Sequence, residues 1–160
     1  MPELPEVETI VRGLRPLHGR RFKRVRLSPS KRLDSAMGRR LQGKRIQTID
    51  RRGKLLIFRL QGDNHLLIHL KMTGQLVYKP KANKLFVGGH PIVNVTEVPN
   101  KFTLAEFHFD DTSALYFNDV RKFGYIKLVS TQETEELLRG YGPEPLSRGI
   151  PSQMEQGVTF

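Results

Sequence analysis

Between residues 45 and 129 the chain is built largely of short strand-like bursts of five to eight residues, separated by turn signals. Strand-like segments fall at about 45–51, 54–60, 65–71, 75–79, 102–109, 114–118 and 124–129. Between them stand Gln61-Gly62-Asp63-Asn64, Thr73-Gly74 and Asp110-Asp111-Thr112, residue types that favour tight reversals. Many short strands at this spacing predict an antiparallel sandwich or barrel.

The ends of the chain read differently. From Glu6, apolar Val7, Ile10, Val11, Leu14 and Leu17 recur at helical spacing. Pro5 suits a first helical turn, Glu6 and Glu8 suit its positive end, and Gly19 is expected to close the helix. Period two then resumes in Phe22, Val25 and Leu27. Ser130-x-x-Glu133 matches a capping box and predicts a short helix through Leu137, Leu138 and Arg139, stopped by Gly140. Residues 80–100 show no clear period and read as a long loop with one strand near 92–95.

One domain accounts for 160 residues with 38% hydrophobic content. The longest apolar runs, such as Leu55-Leu56-Ile57-Phe58, are far too short to span a bilayer, and no secretory leader is visible. Cysteine is absent, which excludes disulfides and a Cys-ligated zinc within these residues and agrees with a cytoplasmic setting. The net charge of +11 is unevenly placed. Residues 1–54 hold 16 Lys/Arg against 5 Asp/Glu, whereas residues 55–160 hold 11 of each. The excess lies in Arg20-Arg21-Phe22-Lys23-Arg24-Val25-Arg26 and Arg51-Arg52-Gly53-Lys54. Such concentration suits a polyanion, nucleic acid above all, and the strand-like setting disfavours a membrane surface.

The start, Met1-Pro2-Glu3-Leu4-Pro5-Glu6, carries chemistry. Removal of Met1 leaves Pro2 a free secondary amine, which can attack a carbonyl carbon and form a cationic iminium, an electron sink for elimination. At pH 7 roughly 10–20% of an α-amino group is free base, against about 0.04% of a lysine. With Met1 attached, the Pro2 nitrogen is an amide and cannot attack. Glu3 is placed to give or take a proton, and Glu6, about one helical turn on, to hold the amine or a water.

These residues carry a resemblance. Met1-Pro-Glu-Leu-Pro-Glu-Val-Glu-Thr-Ile-Val-Arg-Gly-Leu14 is similar to the opening of the formamidopyrimidine-DNA glycosylase family, whose members remove oxidised purines in bacteria. Leu4 favours that branch over the endonuclease VIII branch, which typically has glycine there. Further similar motifs follow in the family's order: Arg51-Arg-Gly-Lys54-Leu-Leu, His69-Leu-Lys-Met72-Thr-Gly74, Asn118-Asp-Val-Arg121-Lys-Phe123-Gly124 and Gly142-Pro-Glu-Pro-Leu-Ser147. The resemblance covers residues 1–147. It implies a mainly β fold with flanking helices, a two-layer antiparallel sandwich whose N-terminal helix carries the catalytic end.

The same resemblance implies the roles. Pro2 is the nucleophile on C1′ of a nucleotide carrying 8-oxoguanine or formamidopyrimidine, with Glu3, Glu6 and Lys54 assisting, and β- and δ-elimination follow through a Schiff base. His69 and Lys101 contact phosphate, while Met72 and Phe123 wedge into the base stack and Arg121 meets the orphaned partner base. Such wedges suit an enzyme that must turn a nucleotide out of a duplex. Phe102 stands where histidine is often found, and Lys71 where glycine or arginine is expected. The implied partner is double-stranded DNA with oxidised bases or abasic sites, bound by a cytoplasmic, bacterial monomer. No cofactor serves this chemistry. The family's structural zinc sits in a C-terminal finger that, like the helix–two-turn–helix domain before it, is not among these residues. Residues 148–160 are expected to be a linker or the start of that domain, and this stretch alone is expected to be weakly active or inactive.

Two other classes remain as alternatives: a DNA-binding remnant of this fold without chemistry, and a tautomerase using an N-terminal proline as base. Intact Pro2, Glu3 and Lys54 argue against the first. The basic third and the long β pattern argue against the second.

Overall fold

The computed structural model describes residues 4–28, 36–81, 85–89 and 97–140. The strand at 92–95, the motif 142–147 and the linker 148–160 lie outside these residues, as do Pro2 and Glu3. Helix α1 (Leu4–Gly13) leads through a 3-10 turn (Arg15–Leu17) into β1 (Phe22–Leu27). A short α2 (Met37–Leu41) precedes β2 (Ile46–Arg52), β3 (Leu55–Leu60), β4 (Asn64–His69), β5 (Gly74–Lys79) and β6 (Phe86–Gly89). Strands β7 (Thr103–Phe109), β8 (Ala114–Asp119) and β9 (Tyr125–Ser130) follow, then α3 (Thr131–Arg139).

The strands form two antiparallel sheets, ordered β1-β7-β8-β5-β6 and β2-β3-β4-β9. A two-layer sandwich with flanking helices is therefore what the chain builds, as the motifs implied. One continuous core lies between the sheets. It includes Leu56, Phe58, Leu60, Leu66 and Ile68 from one sheet and Leu76, Leu104, Phe107, Phe109, Leu115 and Phe117 from the other. The Phe22 ring meets those of Phe107 and Phe109 at centroid distances of 5.8 and 5.1 Å.

Strands β3 and β4 read as nearly unbroken apolar runs because both of their faces are covered. Their second face, Leu55, Ile57 and Leu67, packs with Leu137 and Leu138 of α3. The Ser130 hydroxyl accepts from the Glu133 N–H while the Glu133 carboxylate accepts from the Ser130 N–H, completing the capping box that opens α3.

Helix α1 is shorter than its apolar spacing predicted. Pro16 cannot donate to the helical ladder and its ring crowds the carbonyl one turn back, so the chain tightens into the 3-10 turn. Leu14 and Leu17 stay buried nonetheless, and Gly19 still reverses the chain, at φ 89°. Strand β6 lies inside the segment that reads as a loop, because two of its four residues are glycines and carry no pattern. A glycine on each element matters for packing. Gly13 of α1 lies against the Phe86 ring, and Gly88 of β6 receives the side chain of Ile10, so helix and edge strand interlock.

Buried His65 links the β3–β4 hairpin to α3. Its Nδ1 accepts from Leu60 N–H at 3.2 Å, and its Nε2 stands 3.1 Å from the Thr131 hydroxyl. Burial, followed by the Arg59 charge, lowers its pKa. The folded state thus resists a proton that the unfolded state accepts below about pH 6.5. Stability should be level above pH 7 and should fall as the pH passes 6.5 toward 5. Urea unfolding across this range should show that slope, and it should shrink in His65→Gln. An unchanged slope in the variant would remove His65 as its source.

Candidate active site and nucleic-acid face

Register places one rim of the sandwich. In the first sheet Gly74 pairs with Asp119, Thr103 with Asn118 and Leu27 with Ala105. In the second, Arg52 pairs with Leu55, Leu55 with His69, and His69 with Tyr125. The short links 70–73 and 120–124 join these two sets of strand ends. Lys54, His69, Met72, Lys101, Arg121 and Phe123 therefore all lie on this rim, although 69 positions separate the first from the last.

The charge of the first third divides between the two ends. Arg20 and Arg21 sit at the opposite end, beside the start of β1 and the Lys44–Arg45 link. There Arg21 donates to the Gly43 carbonyl at 2.8 Å, Arg45 donates to that of Gly19 at 3.0 Å, and Arg20 faces Asp110 and Asp111. These arginines hold the fold together, so the basic stretch 20–26 is not one continuous polyanion-binding strip.

Lys54 lies in the two-residue β2–β3 turn and is half-buried. The hairpin is tied to α1 by Arg51, whose Nε donates to the Glu8 carboxylate at 2.6 Å and whose Nη1 donates to the Gly53 carbonyl at 3.3 Å. Arg51 is nearly sealed, its side chain only 6% exposed. Glu6 lies in the exposed first turn of α1, two residues before the glutamate that makes this tie. The N-terminal end of the helix and the lysine-bearing hairpin are thereby held to each other.

His69 ends β4. Its Nδ1 accepts from the Lys71 N–H at 3.1 Å, so the neutral ring carries its proton on Nε2, and the ring lies 5.6 Å from that of Tyr125. Burial lowers its pKa, with the charges of Lys71 and Lys54 adding to the effect. Near pH 7 it is accordingly a neutral N–H donor, supplied with positive potential by two lysines.

Met72, Val120 and Phe123 are three of the four exposed large apolar side chains among the described residues, and all three occur on these links. The Arg121 guanidinium lies 5.1 Å from the centroid of the Phe123 ring. Lys71 takes φ 56°, a left-handed conformation natural to glycine, which accounts for the glycine expected there. Lys101 is exposed in the turn before β7, its Nζ 5.2 Å from the Phe102 ring centroid.

Sequence reasoning named the tips of these loops and missed what supports them. Arg51 belongs by sequence to the polyanion-binding charges, yet its guanidinium is bonded to Glu8 and to the Gly53 carbonyl. Asp119 lies within the motif that names Arg121 and Phe123, and an aspartate two residues before Arg121 is a recognisable Asx-turn signal. Among the described residues no group of three or more His, Cys, Asp or Glu side chains could hold a metal. No helix there is long and apolar enough to cross a membrane.

Together these features define a class: two-layer antiparallel sandwich domains whose N-terminal helix is clamped to a lysine-bearing hairpin at a basic, apolar-tipped rim. The chain belongs to the family described as formamidopyrimidine-DNA glycosylase N-terminal domain, whose profile matches residues 1–126. It is 39% identical over 156 residues to a formamidopyrimidine-DNA glycosylase of Cereibacter sphaeroides, covering 94% of this chain and 53% of the relative. It is 38% identical over 152 residues to that of Ligilactobacillus salivarius, covering 91% and 50%. The chain thus spans about half the length of the curated relatives it matches. Among solved structures, wild-type Lactococcus lactis Fpg (MutM) in complex with DNA containing an oxidized pyrimidine superposes with a TM-score of 0.71 at 30% identity, over 87% of this chain and 48% of that one. The same protein with DNA containing an abasic site gives 0.71 at 29% identity, with the same coverage.

Proposed function

We propose that this chain is the catalytic half of a base-excision DNA glycosylase and abasic-site lyase acting on oxidised purines. The observation that carries the reading is the gathering, at one rim, of a hairpin lysine, a neutral histidine donor and apolar tips, beside the helix that follows Pro2. Lys54, His69 and Lys101 supply phosphate contacts. Met72 and Phe123 enter the stack beside the displaced nucleotide, and Arg121 hydrogen-bonds the base left behind.

In the chemical step the Pro2 nitrogen bonds to C1′ as the bond from C1′ to the base breaks, and the base leaves with its electron pair and a proton. Glu3 protonates the ring oxygen as the sugar opens, producing the iminium between Pro2 and C1′. Loss of a proton from C2′ expels the 3′ phosphate, and a second elimination expels the 5′ phosphate. Glu6 supports the amine from the first turn of α1.

Borohydride trapping on abasic-site DNA tests this reading. A covalent adduct that maps to residue 2 and is sharply reduced in Pro2→Gly is expected, whereas an adduct mapping to a lysine would overturn the assignment. The relatives continue well beyond the matched region, so these 160 residues alone should trap weakly, and more so as salt rises, because each phosphate contact releases counterions. Trapping as efficient as that of a full-length relative would defeat this second expectation. Binding without any adduct would favour the non-catalytic remnant.

A further inference from the structure

We propose that Asn118 and Asp119 form a bracket that presets the loops on the rim before any DNA arrives, making Asp119 a positioning residue for Met72, Arg121 and Phe123. The inference about DNA rests on the function proposed above, while the bracket itself rests on geometry.

Asp119 is buried at the end of β8. Its Oδ1 accepts from the Thr73 hydroxyl and from the Arg121 N–H, the latter at 3.1 Å, and its Oδ2 accepts from the Gly124 N–H at 2.7 Å. A single carboxyl thus joins the link that bears Met72 to the link that bears Arg121 and Phe123. Between its two backbone donors on the second link stands Lys122, at φ 62°, a left-handed conformation that costs a lysine energy. The two hydrogen bonds span this residue and oppose its relaxation.

Gly124 closes the arrangement. A Cβ there would stand 2.8 Å from the Phe117 ring, 2.9 Å from the His69 carbonyl and 3.0 Å from the Asp119 carboxyl, so only glycine lets the link run this close to β8.

Asn118 serves the third loop. Its Nδ2 donates to the Gln75 side chain at 2.9 Å and its Oδ1 accepts from the Thr103 hydroxyl at 2.7 Å. That hydroxyl accepts in turn from the Asn100 N–H at 2.9 Å, and the Asn100 side chain accepts from the Phe102 N–H at 2.9 Å. The Asp119 N–H donates to the Phe102 carbonyl at 3.0 Å. Lys101 is therefore held in a turn whose two flanks are bonded back to β8.

A preset rim spends less ordering entropy when the wedge enters the stack. The bracket should consequently govern unstacking and leave general attraction to the duplex alone. The variants are Asp119→Asn and, as a half-exposed partner whose loss should leave the core intact, Thr73→Val, with Thr73→Ser as the conservative restoration. Amide exchange in the DNA-free chain is the first readout. In Asp119→Asn the amides of Arg121 and Gly124 should exchange about tenfold faster, the loss of one hydrogen bond to a charged group, while β3 and β4 remain protected. The second readout compares fluorescence of 2-aminopurine opposite an abasic site with affinity for undamaged duplex. Unstacking should fall about tenfold in Asp119→Asn and Thr73→Val and return in Thr73→Ser, with duplex affinity within about twofold of the parent.

Parental exchange at residues 121 and 124 in Asp119→Asn would overturn the bracket. So would equal losses of unstacking and duplex affinity, which would mark a general structural defect. If exchange responds as expected and the parent chain fails to unstack any abasic duplex even at low salt and with the duplex bound to saturation, the bracket stands and the proposed DNA function falls.

Discussion

Truncating Arg51 to alanine is expected to lower borohydride-trapped adduct by about 100-fold, the scale on which a misplacement of about 1 Å acts in a preorganised site. Its Nε to Glu8 Oε1 bond, at 2.6 Å, and its contact with the Gly53 carbonyl, at 3.3 Å, tie α1 to the hairpin that carries Lys54. Pro2 is connected to the start of α1, so the orientation of this helix sets where an N-terminal amine can reach. Stability should fall by about 1.5–3 kcal/mol, as for the loss of a hydrogen bond to a charged group. Arg51→Lys retains the charge and loses the planar fork, so it should recover most of the stability and only part of the adduct. Adduct yield and urea unfolding, measured on the same preparations, separate the two effects. Undiminished adduct in Arg51→Ala would show that the clamp does not position the amine.

The largest loss of stability should come from Phe117→Ala. Phe117 is fully buried in β8, between Leu76 of β5 and Ala105 of β7, and its ring lies directly beneath Gly124. Deleting a buried phenyl ring costs about 3–5 kcal/mol in transfer energy and residual cavity. For a domain of this size that amounts to a fall in Tm of about 10 °C. The cavity also opens under the link that carries Phe123, so amide protection at Gly124 should decline more than protection in β3. Calorimetry and exchange test both parts, and a fall in Tm of under about 3 °C would mean that the surrounding strands close the space.

How much of this was legible in the sequence follows from the range of each interaction. Short apolar-rich segments between turn signals locate eight of the nine strands, because a strand's side chains and the turns that end it are written locally. The capping box at Ser130 and Glu133 was equally local, spanning three residues. Strand β6 was lost for the converse reason: its Phe86-Val87-Gly88-Gly89 carries little pattern and is stabilised by pairing with β5 and by interlocking with α1. Helix α1 was overextended because apolar spacing continues to Leu17 while Pro16 breaks the ladder.

The residues on the rim divide in the same way. Motifs in this sequence, through their resemblance to a family, named Lys54, His69, Met72, Lys101, Arg121 and Phe123, and likewise Pro2, Glu3 and Glu6. By themselves the side chains determined the β-sandwich plan, the absence of cysteine chemistry and an excess of positive charge in the first third. Only the tertiary structure decided which of those charges face outward and which are consumed. Arg21 and Arg45 bond to backbone at the far end, and Arg51 is buried against Glu8, because those partners lie 22 to 43 positions away in the chain and are met only after the sheets close. Asp119 reaches Thr73 across 46 positions for the same reason. Sequence spacing records local periodicity, whereas hydrogen bonds across the rim exist only once strand register has brought their partners together.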